Sequence, residues 1–534
     1  VLDARIFLGL AGLIFCSSSV LAQWEVEPRL RVSETYTDNV DLDRSGEEDS
    51  ALITEVAPGI SFHREGARAS VDVNYELQSV LILSDDNSQR VNHRLGALGQ
   101  SELIEDFFFF DASSSIRQVV IDERDAVSSD NVTGDNNRSD VYTVGFSPWV
   151  QNRFGGYASG RARYRYDKVW VGEGASDSQN HLYLAELNSG PRMLPWGWLA
   201  RYSRDEQDNS DDREDTTFES AFGQLSWRLT PSLTALAQGG WENNDFRTDV
   251  QEENGYYWAG GGTWTPSRRF SVTGLTGSDY QTASVFLAPS QRTSMDVTYR
   301  DRDVGLNPGE TWTASVRHYT RRTTLQATYF EDTQTTQRLL ARGLDTPLYV
   351  NPQLGIVAPI VETDFGRGAL ISQGEVAPGV VQFSLIPEQA LEEEFIVTET
   401  FSLTDDSFER KRGSLQGTFS TGKSRFLVRG YREERQYLGD VVDRGDETNT
   451  GVIGGWRWEV AGRTTALTRL SWIHSEYDID DRDDDTWLFE TEVERRIARD
   501  MTGSVGYRYT QRDSDDSDAE YRENRLFGRL LVRF

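Results

Sequence analysis

Two kinds of connection take turns along this chain, and that regularity constrains its fold more than any single motif. From Trp24 onward, segments of about 10 to 14 residues with strand-like alternation are separated first by one kind and then by the other. The short kind includes Arg64-Glu65-Gly66-Ala67, Arg153-Phe154-Gly155-Gly156, Thr230-Pro231-Ser232 and Ala461-Gly462-Arg463, where Gly, Pro and Ser supply the backbone angles of tight hairpins. The other kind is acidic: SDDNSQ from Ser84, IDERDAVSSDNVTGDNNRSD from Ile121, DEQDNSDDRED from Asp205, DIDDRDDD from Asp478 and DSDDSDAE from Asp513. Loops of this charge repel their neighbours unless well solvated. A water-soluble sheet has no reason to sort its connections in this way around every hairpin. An outer-membrane barrel does, because short turns lie on its periplasmic side and long loops outside.

Counting back from Phe534 places the longer or acidic connections near residues 516, 481, 442, 370, 306, 280, 250, 211, 175, 130, 87 and 43. Twelve hairpins imply an all-β fold, a transmembrane antiparallel up-and-down β-barrel of about 24 strands (roughly 22–26), an even number as closure requires. The pattern is least regular between Phe270 and Thr336.

The strands also declare their two faces. In TWLFETEVERRI, Trp487, Phe489, Thr491 and Val493 share one face, while Glu490, Glu492, Glu494 and Arg496 share the other with Leu488. A row of glutamates does not face hydrocarbon, so these residues are assigned to the lumen. GRARYRY likewise sets Arg161, Arg163 and Arg165 opposite Ala162, Tyr164 and Tyr166. In the terminal RLFGRLLVRF, Arg525, Arg529 and Arg533 alternate with Leu526, Leu530, Val532 and Phe534, and the arginines are again expected inside. Arg and Glu rows on neighbouring strands are expected to pair across the barrel wall. Trp149, Trp196, Trp198, Trp227, Trp264, Trp456 and Trp458 lie beside short turns, which fits a girdle of rings straddling lipid and water.

Only 37% of the chain is hydrophobic, and no run of 18 or more apolar residues follows position 22, which excludes a helical membrane protein. The first 22 positions carry Arg5, an apolar stretch from Ile6 to Phe15 and Val20-Leu21-Ala22. They read as a secretory signal peptide cut after Ala22, leaving residues 23–534 as one barrel. The rival reading, a lipid anchor at Cys16, requires a small residue where Phe15 stands. Cleavage leaves a chain without cysteine, exported yet not built on disulfides. A net charge of -31 argues against nucleic acid as a partner.

Chemistry-bearing motifs are missing. His63, His93, His181, His318 and His474 are scattered, with no HExxH, GxSxG or Walker loop, so the chain reads as no enzyme and as needing no cofactor. The aspartates from Asp480 to Asp485 invite calcium but lack the central glycine and spaced glutamate of an EF-hand loop, so no metal site is assigned. Residues 337–394 break the pattern, with five of the 14 prolines and little charge before Glu388. A segment so apolar is poorly suited to lie free in water. Because strands begin near Trp24, it is the sizeable candidate for constricting the lumen or binding a partner.

The opening WEVEPRLRVSETYTDNVDL leads into Tyr36-Thr37-Asp38-Asn39, and DSFERKRGSLQGTFSTGKSRFLVRGYREERQY ends at Tyr437. Both stretches resemble a family of outer-membrane β-barrel proteins associated with the PEP-CTERM (exosortase) protein-sorting system. The resemblance implies an outer-membrane location and a context of exopolysaccharide production, not a reaction. A strand ending in Phe534 resembles the signal read by the barrel assembly machinery. Two functions follow as expectations: a porin-like conduit for exopolysaccharide or a related surface polymer, or a non-conducting structural protein whose loops bind surface proteins or matrix. In either case membrane lipid and lipopolysaccharide surround the barrel.

Overall fold

The computed structural model describes residues 24–84, 87–210, 215–245, 254–305, 308–336, 403, 407–438 and 445–534, with the backbone of short strands between 348 and 395. The expected signal peptide lies outside the described residues. Twenty-four strands form one antiparallel sheet in which each pairs with its neighbours in sequence. The first strand (Glu25–Thr37) closes on the last (Tyr521–Arg533), in register from Arg29↔Arg533 to Thr37↔Arg525. The number matches the hairpin count, and each of the twelve connections read from the sequence falls between two strands at the same rim. Even the irregular stretch obeys the rule. Near residue 280 the connection shrinks to Asp279 alone, whose φ of 56° is one that a short polar side chain tolerates.

The strand Thr323–Thr335 pairs directly with Ser407–Ser420, so the chain between them is an insertion at the long-loop rim. Its backbone forms two small three-stranded sheets. The expected constriction by residues 337–394 concerns side chains outside the described residues.

Strand pleating sorts the residues as expected. On the outward face stand Val493, Val505, Leu526 and Leu225, all well exposed to the surroundings of the barrel. Six of the seven tryptophans beside short turns share this outward face in the register of the ladder. Trp196 stacks on Trp227 at 4.8 Å, and Trp456 on Trp458 at 5.6 Å. Trp149 is the correction. It lies on the inner face, donates from Nε1 to Asp111 Oδ2 at 3.0 Å and stacks on Phe109 at 3.9 Å. The lumen offers its indole N–H a carboxylate acceptor that hydrocarbon lacks.

The long-loop rim is drawn inward. Leu403 is buried against Val119, Val141 and Val169, and its N–H donates to Ile121 O at 2.9 Å. Yet Ser407, four residues on, begins a strand on the opposite side of the ring. Four residues span at most about 14 Å. A circular barrel of 24 strands, spaced about 4.8 Å and tilted about 40°, would measure roughly 45 to 50 Å across. Thr335 also donates to Gln207 Oε1 at 2.8 Å, joining the seventeenth strand to the ninth. The mouth is pinched.

Candidate functional site

The predicted lumen residues do face inward, but they form two separate groups. On the seventh strand (Ala158–Val171), Arg163 reaches Asp111 at 3.2 Å and Arg165 reaches Asp167 at 2.7 Å. Arg161 stands opposite Glu186 in the ladder. The other group occupies the last three strands, Arg482–Ala498, Met501–Ser514 and Tyr521–Arg533. Here Glu490 is paired with Arg508 and lies 3.6 Å from Arg469, and Glu492 lies 3.6 Å from Arg529. Glu494, Arg496 and Arg533 are exposed toward the short-turn rim. The expected pairing of Arg and Glu rows holds for Glu490 and Glu492. Phe534 donates its N–H to Pro28 O at 2.9 Å, while its side chain is 75% exposed.

What brings charges to a focus is a loop read from its sequence as one of the solvated acidic connections. Residues 121–137 fold into the lumen instead. A clasp closes the base: Asp122 N donates to Asn137 Oδ1 at 2.8 Å, and Asn137 Nδ2 donates back to Asp122 O at 2.6 Å. From there the loop lies against the wall made by the last strands. Glu123 pairs with Arg435 at 3.1 Å. Arg512 Nη2 donates to the carbonyls of Glu123 and Arg124, each at 3.0 Å, and Tyr521 donates to Val127 O at 2.7 Å. The physical reason for the correction is neutralisation. Acidic residues repel one another in solvent, but the inner wall supplies guanidinium groups whose forked donors match carboxylates and carbonyls.

At the tip, Asp130 meets two arginines. Arg508 Nη1 donates to Asp130 Oδ2 at 2.6 Å, and Arg525 Nη1 donates to both Asp130 oxygens at 2.9 and 2.7 Å. Burial opposes ionisation of Asp130, yet Arg525 and Arg508 outweigh it and hold the carboxyl well below the usual carboxylate range. Asn131 turns the other way. Its Nδ2 donates to Gln78 Oε1 and Gln118 Oε1, both at 2.6 Å, and its Oδ1 accepts from Arg94 at 3.0 Å. The tip is therefore held from both sides.

A second loop braces the first. Gly134, at φ 59°, donates to Val40 O at 3.0 Å. A Cβ there would come within 2.5 Å of Leu42. The YTDN stretch that leads into this second loop seals the barrel. Thr37 donates to Glu523 at 2.9 Å. Asp38 accepts from Asn524 N at 2.6 Å and Nδ2 at 2.7 Å, and Asn39 Nδ2 donates to Arg522 O at 3.0 Å. Glu523 in turn holds Arg525 at 2.9 Å, so the seam and the loop tip share one chain of contacts.

Sequence reasoning missed the inward loop and the roles of Arg508, Arg512 and Asp130. The one available signal was composition, since Val127 to Gly134 carries a single charge in an otherwise acidic connection. Among the described residues, no three His, Cys, Asp or Glu side chains converge as a metal-holding group. The arrangement is equipped to bind anions and hydroxyls and to exchange one charged partner for another.

No family model and no curated protein matches the chain. Among solved structures, the chain is distantly similar to several receptors and transporters. The siderophore receptor PirA from Pseudomonas aeruginosa is 9% identical, with 97% of this chain and 81% of that one covered and a TM-score of 0.42. The FrpB iron transporter from Neisseria meningitidis (F3-3 variant) is 8% identical, with coverage of 100% and 83% and a TM-score of 0.43. A loop-deletion mutant of OmpT from Vibrio cholerae is 10% identical, with coverage of 96% and 100% and a TM-score of 0.30. Likeness at this level carries no argument, and the fold stands on the strand pairing of the chain itself.

Proposed function

We propose that this protein is an outer-membrane conduit for an exopolysaccharide or related surface polymer, narrowed at rest by residues 121–137. The observation that supports it is how the lumen is filled. A barrel serving only as a scaffold needs no exchangeable ionic contacts inside. Here the narrowing loop is tied by Asp130 and Glu123 to arginines of the wall, contacts that a charged solute and water can replace. Arginines attract anionic sugars, and neighbouring Glu490 and Glu492 limit how long they stay. In this reading the chain is not an enzyme, is exported by its leader, is inserted by the assembly machinery through its Phe534 end, and sits among lipid and lipopolysaccharide with the long loops outside.

The second reading, a non-conducting structural or assembly protein whose outer loops bind surface components, draws its support from the pinched mouth at Leu403 and at Thr335–Gln207. Planar-bilayer recording separates the two. The conduit reading expects small, flickering conductance from the full chain and a severalfold increase when residues 123–134 are replaced by a short Gly/Ser link. A folded barrel that stays silent with the loop removed favours the structural role.

A further inference from the structure

We infer that Arg508 and Arg525 form a preformed site for the carboxylate of an acidic saccharide, occupied in the resting barrel by Asp130. The inference rests on the conduit reading above and names the class of solute that conduit takes. It begins with how each guanidinium divides its donors. Arg525 gives Nε and Nη2 to Glu523 of its own strand, at 3.1 and 2.9 Å, and presents Nη1 to the lumen. Arg508 gives Nε and Nη2 to Glu490 of the adjoining strand and likewise presents Nη1. Both side chains are nearly buried, at 7% and 3% exposure. The two guanidinium groups are oriented by Glu523 and Glu490 of the strands, so the cradle is built on the wall, while the loop adds its occupant and the hydroxyls of Ser128 and Thr133, which Arg525 Nη2 also reaches.

That occupant is itself a carboxylate. Asp130 takes hydrogen bonds from both Nη1 groups, and Ser129 Oγ accepts a further one from Arg508 at 2.8 Å. Exchanging one carboxylate for another keeps both buried guanidinium groups paired, while the displaced Asp130 carboxylate passes into the water of the lumen. A neutral guest would strand two buried donors, which builds selection for acids into the site. A lone inorganic anion would satisfy the cradle but not its surroundings. A cavity of about 150 Å³ opens beside the cradle rather than in it: Ser128 and Ser129, which reach Arg525 and Arg508, line it together with Tyr431, Tyr477, Tyr521 and Arg512. Aromatic faces and hydroxyls suit the C–H and O–H groups of a sugar ring.

The test is calorimetric titration of the full chain in detergent micelles with trigalacturonate, a short uronic-acid oligomer, and with neutral maltotriose. Asp130→Asn removes the resident charge, so it should bind trigalacturonate at least tenfold more tightly than the native chain. Maltotriose should bind both weakly and equally. Adding Arg525→Gln to Asp130→Asn should abolish the gain. If that double variant fails the heat-modifiability assay for a folded barrel, Arg508→Gln in the same background takes its place. Equal affinity of native and Asp130→Asn chains for trigalacturonate overturns the site, as does a gain that survives loss of the arginine or extends to maltotriose. Binding is read without any current across a membrane. A barrel that binds the acid as described but never conducts refutes the conduit and leaves the site standing.

Discussion

The inner wall between Thr216 and Ser278 and the inner wall between Arg482 and Arg533 are built by the same pleat from opposite chemistry. In the first, the lumen row is mostly Ser, Thr, Gln, Gly and aromatic residues, with Arg228 and Glu242 as its charges. Hydroxyls tie its strands together, as where Thr263 meets Thr273 at 2.8 Å. In the second, arginines and carboxylates alternate across three strands, and residues 121–137 lie against them. The difference teaches why the loop leans to one side of the lumen. A neutral hydroxyl wall offers single weak donors, whereas a guanidinium wall offers paired, charge-assisted ones that offset the desolvation of a buried carboxylate.

The largest effect should come from removing a charge on the ionic wall. Arg525→Ala leaves Glu523 and Asp130 without their shared partner and should destabilise by about 3 to 5 kcal/mol, whereas Gln238→Ala on the neutral wall should change stability by less than about 1 kcal/mol. Urea midpoints of the heat-modifiable band measure both. Similar shifts at the two sites would erase the distinction between the walls.

Next comes the contrast between the inside and outside of one strand. Val493→Arg should destabilise by about 2 to 4 kcal/mol if it lies near the bilayer midplane, while Glu492→Gln should leave folding nearly unchanged and alter ion selectivity. Equal tolerance would mean the faces are misassigned.

Acid should loosen only the ionic side. The folded-state carboxyl of Asp130 is held below its unfolded value of about 3.9 by Arg525 and Arg508 against the effect of burial. Its contribution is therefore whole above about pH 4 and fades as pH falls toward the folded value. The stability difference between the native chain and Asp130→Asn should shrink below about pH 4. A difference that stays constant from pH 7 to pH 3 would contradict the ionic latch.

The smallest effect on the folded barrel should come from deleting Phe534, whose side chain is largely exposed and whose N–H makes one bond to Pro28. Refolding in detergent should be nearly unaffected while insertion in cells falls. Normal insertion would count against a role in assembly.

How much of this was legible in the sequence depends on the range of the interaction that decides it. Strand number and facing are local matters: Glu490 and Arg525 alternate with apolar residues, and hydrocarbon tolerates only one of the two faces. Trp149 was misread because its proximity to a turn was local but its acceptor, Asp111, lies on another strand. The inward loop was harder still. Its carboxylates resemble those of every other acidic connection, and the groups that neutralise Asp130 stand 378 and 395 residues further along. The YTDN stretch carries a family resemblance in its sequence, while its bonds to Arg522, Glu523 and Asn524 give it a mechanical task that no spacing reveals.

That task bears on timing. Residues 121–137 leave the ribosome early, but both arginines that receive Asp130 belong to the last two strands, and Arg525 is oriented by Glu523, which Thr37 engages only once the first and last strands meet. Contacts so distant in sequence form late. The loop tip, held from the early strands through Asn131, thus gains its ionic anchorage only as the ring is completed, and an unfinished cylinder lacks half of the fastening that narrows a finished one.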